Sequence, residues 1–129
     1  MKNLKFIFLI ALLFACSPSK KEVPEKSIEN QLVVESGNEY TEYYEGKKQV
    51  KMHGYFNDKK ERDGKWEYFS AQGVKLSLTF YENGKKNGFS VVFYPNGAQR
   101  YVGEYQNDQK IGEWKYYDQN GKLVQSKTF

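Results

Sequence analysis

Glycines recur with one fixed period, 24, along most of this 129-residue chain. Gly64, Gly88 and Gly112 make one series, and Gly73, Gly97 and Gly121 make a second. Aromatic positions keep the same register: Phe69, Phe93 and Tyr117, then Tyr81, Tyr105 and Phe129. Trp66 and Trp114 stand two periods apart, with Ser90 at the position between them. Matched residue types at one spacing mean a supersecondary unit that is repeated, each copy too small to bury its apolar face alone. An earlier, degraded copy is legible where Tyr55-Phe56-Asn57-Asp58 matches Tyr81-Glu82-Asn83-Gly84 and Tyr105-Gln106-Asn107-Asp108, with two extra residues before Gly64. The array spans residues 40–129.

Each unit reads as a β-hairpin. Lys65-Trp66-Glu67-Tyr68-Phe69 alternates polar and aromatic residues, as a half-buried strand does. Val74, Leu76, Leu78 and Phe80 alternate with Lys75, Ser77, Thr79 and Tyr81 at a period of two. Between these runs lie turn signals: Gly73, Asn83-Gly84, Asn96-Gly97, Asn107-Asp108 and Asn120-Gly121. Glycine takes positive φ without steric cost, and Asn-Gly is a strong hairpin signal. Gly64, Gly73, Gly84, Gly88, Gly97, Gly112 and Gly121 are therefore expected as structural turn glycines. The predicted fold is all-β, an antiparallel meander of tandem hairpins.

Aromatic rings must supply most of the packing. All 11 Tyr and both Trp lie at or beyond Tyr40, whereas Leu and Ile are reduced there to Leu76, Leu78, Ile111 and Leu123. Rings of equal phase are expected side by side in a continuous ribbon, since aromatic pairs add about 0.5–1.5 kcal/mol beyond burial. Phe89-Ser90-Val91-Val92-Phe93-Tyr94 is largely apolar on both faces, so the middle of the array should be the more covered part. Lys122, Gln125, Lys127 and Thr128 should make the last strand a polar cap on an open edge.

The N-terminal end reads as an address. Lys2 and Lys5 precede an unbroken apolar run from Phe6 to Ala15. Ten helical residues rise about 15 Å, half of a bilayer core of roughly 30 Å, which favours a cleaved signal over a spanning helix. The run ends in Leu13-Phe14-Ala15-Cys16, which resembles the lipobox of bacterial lipoproteins, with Cys16 as the residue that receives lipid. The expected organisation is a signal peptide over 1–15, the lipidated Cys16 and a flexible tether over 16–39, and the repeat domain over 40–129. The tether carries Pro18 and Pro24 among many charges and too little apolar surface to offset its ordering entropy. Leu32-Val33-Val34 is open to either a short strand or a local contact.

Gly64-Lys65-Trp66-Glu67-Tyr68 and Gly112-Glu113-Trp114-Lys115-Tyr116, with the Tyr-x-Asn-Gly/Asp turns and the fixed period, resemble the bacterial variant of the MORN repeat (membrane occupation and recognition nexus). Ser90 in place of Trp and Asp108 in place of Gly depart from that pattern. The resemblance implies an elongated, twisted sheet of hairpins and no single activity. Many such proteins are lipoproteins, and a subset resembles the YwqK-type antitoxins.

Trp66, Tyr68, Trp114 and Tyr116 share strand parity and so one face. That face is either an aromatic surface for a partner or the core of a small sheet; the scarcity of aliphatics favours core. Lys59, Lys60, Arg62, Lys85 and Lys86 fall in turns and are interleaved with Asp58, Glu61 and Asp63, as solvated turns are. A single Cys and a single His, His53, leave no paired-histidine metal site and no Cys-based zinc cluster, and argue against a Ser–His or Cys–His arrangement. No cofactor, metal or catalytic residue is assigned. A net charge of +4, falling to +2 once residues 1–15 are removed, is too small for a nucleic-acid partner. The expected function is a lipid-anchored, non-catalytic protein-interaction or scaffold module of the bacterial envelope, placed at the outer membrane. It would meet the membrane through Cys16 and a protein through its sheet, with homo-oligomers through the edge strands also open. The alternative is an immunity or antitoxin protein against a secreted toxin.

Overall fold

The computed structural model describes residues 32–46 and 48–129. Nine strands lie within them: β1 (Val33–Ser36), β2 (Glu39–Tyr43), β3 (Val50–Phe56), β4 (Arg62–Phe69), β5 (Lys75–Glu82), β6 (Lys85–Phe93), β7 (Gln99–Gln106), β8 (Gln109–Tyr117) and β9 (Leu123–Thr128). They form one antiparallel sheet in chain order, each strand paired with the next. The fold is the all-β meander expected, with no helix among the described residues. The segment expected as a signal peptide, Cys16 and the first part of the expected tether lie outside the described residues. The sheet begins before residue 40: Val33 to Ser36 pair with Glu42 to Glu39. Two adjacent β-branched residues suit an extended edge, and the β2 backbone gives them a ladder to join.

Four of the turns share one hydrogen-bond pattern. The N–H of Ser70, Tyr94 and Asp118 donates to the carbonyl four residues on, at 2.7–2.9 Å, and Gly73, Gly97 and Gly121 donate back across the same loop. These three glycines have φ of 84°, 85° and 81°. Ser70 Oγ and Asp118 Oδ1 each accept two further backbone N–H groups inside their loops. Asn57 opens a fourth copy, closed by the carbonyl of Glu61, in which Lys60 takes φ of 62°. The Asn57-Asp58 turn is thus longer than the Asn83-Gly84 turn it matches in sequence. The extra residues before Gly64 are absorbed by this longer loop. Two of the short turns are Asn83-Gly84 and Asn107-Asp108, both residues of each at positive φ, as the type I′ hairpin turn requires.

The other glycine series marks bulges. Residues 64–66 of β4 stand opposite the single residue Gly54 of β3, between the pairs Tyr55–Asp63 and His53–Glu67. Residues 87–89 of β6 likewise face Phe80, and residues 112–114 of β8 face Gly103. Extra residues on one strand kink it and re-aim its side chains.

Those bulges place the two tryptophans, both at 0 % exposure. Trp66 lies flat on bare Gly54, where an added Cβ would come within 2.3 Å of the ring, and Trp114 lies on Gly103 at the same distance. Each indole N–H donates to a backbone carbonyl beside it, Trp66 to Tyr55 at 2.9 Å and Trp114 to Glu104 at 3.2 Å. Tyr40 and Phe56 close around Trp66 at 5.7 and 5.0 Å, and Tyr105 and Tyr101 around Trp114 at 4.9 and 6.0 Å. The rings therefore gather in two groups, each centred on a tryptophan, rather than in the continuous ribbon expected. Ser90, with no ring, stands where the line would have joined them.

The opposite face is built differently. Leu78, Val91 and Val102 are neighbours across β5, β6 and β7, and Val91 is buried. Beside them Glu67 accepts Lys75 Nζ at 2.6 Å and Lys65 Nζ at 3.1 Å. The middle strand is covered at Ser90 and Val91, while its Phe89 is exposed. β9 is exposed along its whole length, with Leu123 and Val124 outward, so it is a less polar cap than its lysines suggested.

Candidate functional site

The strongest site follows from the middle repeat. Ser90 occupies the Trp position and Thr79, one period before Gly103, occupies the bare-glycine position. Their hydroxyls hydrogen-bond to each other at 2.8 Å, and the two residues are 3 % and 7 % exposed. A Ser–Thr pair satisfies its own polar atoms, so it can sit at the level where the neighbouring units bury an indole. It does not fill the same volume. A cleft of about 260 Å³ opens above it, walled by Tyr68, Tyr81, Tyr101 and Tyr105, with Ser77 and Val92 at its base and Lys86 at its rim.

The walls are held by the two tryptophan groups. Arg62 lies over Trp66 at 4.6 Å and reaches Tyr81 at 5.5 Å and Tyr68 at 5.9 Å. Tyr101 and Tyr105 lean on Trp114 from the other side. Burial pushes the Tyr68 phenol above its ordinary value, against the opposing pull of Arg62, so the hydroxyl stays neutral at physiological pH. Cations recur with the repeat: Arg62, Lys86 and Lys110 stand one period apart, each of them ahead of the Trp position on the same strand, as Arg62 is of Trp66. Lys110 covers Trp114 at 4.3 Å, as Arg62 covers Trp66. Lys86 has no indole beneath it and rests over Tyr105 at 4.9 Å.

For the tryptophans of the aromatic face the structure has the core alternative, which the scarcity of aliphatics favoured. Trp66 and Trp114 are core, each sealed by its own neighbours, and present no surface to a partner. Tyr68 lies on the cleft. Tyr116 does not; its hydroxyl accepts Lys110 Nζ at 3.1 Å within the Trp114 group. The glycines expected in turns, Gly64, Gly73, Gly84, Gly88, Gly97, Gly112 and Gly121, all have positive φ, but only Gly73, Gly84, Gly97 and Gly121 lie in turns; Gly64, Gly88 and Gly112 lie in bulges within β4, β6 and β8. Arg62 and Lys86 are not merely solvated turn charges, since each lies over rings. Tyr81, Lys86, Ser90, Tyr101 and Tyr105 were missed as a group. The signal for them was present: Ser90 is the one break in the Trp series, and the cation series continues through the break.

His53 is half-buried, with Nδ1 at 3.1 Å from Thr41 Oγ1, and serves the β2–β3 pairing. Among the described residues no three His, Cys, Asp or Glu side chains cluster closely enough to hold a metal ion. A second depression, of about 340 Å³, lies on the opposite face over Phe89, Val102, Gly103 and Ile111.

No family model matches this chain, and no curated protein matches it.

Proposed function

We propose that this protein is a lipid-anchored, non-catalytic interaction module of the bacterial envelope, whose middle-repeat cleft receives a protein partner. The observation that carries the reading is the cleft itself: tyrosine walls, a self-satisfied Ser–Thr floor and a cation at the rim. Its lining is four tyrosines, three hydroxyl residues, one valine and one lysine, a composition that supports recognition of a partner surface. Tyrosine supplies rigid contact area at low entropic cost, which suits an interface. The resemblance to MORN repeats supports a binding scaffold in which hairpins present side chains on a fixed frame. The leader ending in Cys16 supports anchorage, with the sheet held off the outer membrane by the tether.

Two measurements test this. Cys16→Ser should move the protein from the membrane fraction to the soluble fraction; identical fractionation of mutant and wild type would remove the anchor. Affinity purification from its own cells should recover one stoichiometric protein with the wild type, and markedly less with Lys86→Glu. Recovery of the same proteins at the same yield from both would show that the cleft is not the contact surface.

A further inference from the structure

We infer that the cleft over Thr79 and Ser90 is a receptor for one planar aromatic side chain, an indole or a phenol, presented by the partner protein. The inference rests on the interaction reading above and names the group that is recognised. The sheet carries three copies of one device. In two of them a ring sits between neighbouring strands with a cation over its face: Trp66 under Arg62, and Trp114 under Lys110. The third copy keeps the cation, Lys86, and the tyrosines on both sides, but its own ring is replaced by Ser90. A ring supplied from outside completes the pattern.

The chemistry of the cleft selects that guest. Thr79 raises the floor by a side chain relative to Gly54 and Gly103, so a guest ring lies above the Ser–Thr pair and not on bare backbone. There it meets the edges and faces of Tyr81, Tyr101 and Tyr105, which aromatic groups favour at centroid distances of about 4.5–7 Å. The Lys86 ammonium is complementary to the negative face of a π-system and repels a cationic guest. The floor hydroxyls already bond each other, which lowers their value as partners for a sugar.

The test is amide-resolved NMR titration of the full chain with N-acetyl-tryptophanamide, alongside N-acetylglucosamine. Shifts should be confined to Thr79, Ser90, Lys86, Tyr101 and Tyr105, with a Kd on the order of 1 mM for so small a probe. Lys86→Ala should weaken binding by roughly 2- to 5-fold, the worth of one exposed cation–π contact. Thr79→Gly with Ser90→Trp, which rebuilds the filled copies, should abolish binding while the spectrum stays folded. Binding of N-acetyl-tryptophanamide unaffected by Lys86→Ala would overturn the inference, as would shifts spread over β1 and β9. A stronger response of the same residues to N-acetylglucosamine would overturn it too, and would make the cleft a saccharide site. Lys86-dependent capture of a partner without ring binding would sink this inference and leave the interaction reading standing. Ring binding without any captured partner would do the reverse.

Discussion

The contact between Trp114 and Gly103 gives the sharpest stability test. An alanine at 103 places its Cβ 2.3 Å from Trp114 Cδ2 and from Cε2, well inside any real carbon–carbon contact. The indole has no free direction of retreat. Its N–H is bonded to the Glu104 carbonyl, Lys110 lies over its face, and Tyr105 stands 4.9 Å away. Overpacking costs about 1–3 kcal/mol, and loss of the indole hydrogen bond adds about 1 kcal/mol. Gly103→Ala should therefore destabilise by about 2–4 kcal/mol. For a domain near 100 residues each 1 kcal/mol lowers Tm by about 4–8 °C. Trp114→Ser alone should cost about 3–5 kcal/mol through cavity formation. The double variant Gly103→Thr with Trp114→Ser reproduces the Thr79–Ser90 pair, whose hydroxyls bond each other at 2.8 Å. It should be no worse than Trp114→Ser, so the two changes should couple by about 2 kcal/mol, within the range seen for residues in contact. Urea unfolding followed by far-ultraviolet circular dichroism measures all the variants against wild type. A Gly103→Ala change of less than about 0.5 kcal/mol, the size of an ordinary surface substitution, would refute the argument that the bare backbone exists to seat the ring. Strict additivity in the double variant would refute it as well.

Three further outcomes are expected. Burial pushes the Glu67 carboxyl up, but hydrogen bonds from Lys75 and Lys65 more than offset it and hold the group below its ordinary value. A depressed folded pKa gives stability that is present above the unfolded value, about 4.3, and is lost as pH falls through the folded one. Glu67→Gln should thus cost about 1–3 kcal/mol near pH 7, with the two stability curves converging as pH drops below about 4; parallel curves would count against the pairing. Gly97 has φ of 85° with nothing within 4 Å of an added Cβ, so Gly97→Ala should lose about 1–2 kcal/mol from backbone strain alone. Gly97→Asn should lose less, because Asn83 and Asn107 already adopt positive φ in this sheet, and thermal melts of the two variants should rank accordingly. Val124 is 60 % exposed on β9, an open edge, so any concentration-dependent association seen by sedimentation should weaken in Val124→Lys.

Much of the fold could be read from residue spacing because a two-residue period and turn glycines act locally. Gly73, Gly97 and Gly121 announce loops whose backbone needs positive φ, and no distant contact is required to place them. The start of the sheet was less legible. Val33 and Val34 make a strand only because β2 lies alongside, and that neighbour is invisible in a segment rich in charge and proline. The form of the loop at Asn57 was not legible for a similar reason: Asn-Asp suits a short hairpin turn, but the side chain of Asn57 accepts the N–H of Lys59 and of Glu61 and stabilises a longer one. The site was half legible. Strand parity put Trp66, Tyr68, Trp114 and Tyr116 on one face, yet parity does not report depth. Burial of each tryptophan depends on a glycine of the preceding strand, Gly54 for Trp66 and Gly103 for Trp114. It depends too on the bulges that move residues 64–66 and 112–114 out of simple register.

The middle unit shows what the arrangement gives up and where. A buried tryptophan removes about 150–250 Å² from water, worth several kcal/mol at about 25 cal/mol per Å². A Thr–Ser hydrogen bond returns about 1 kcal/mol. The loss falls on β5 and β6, the strands with the most sheet on either side, where Leu78, Val91 and Val102 cover the opposite face. The same loss in β8 would lie next to β9, the edge strand that is exposed along its whole length. Walls borrowed from two intact tryptophan groups are fixed before any guest arrives, so a ring that enters need not order them. That placement favours recognition at the centre of the sheet over recognition at its ends, because a strand edge offers only backbone and would accept many extended segments, whereas the central cleft, as proposed above, would discriminate by ring.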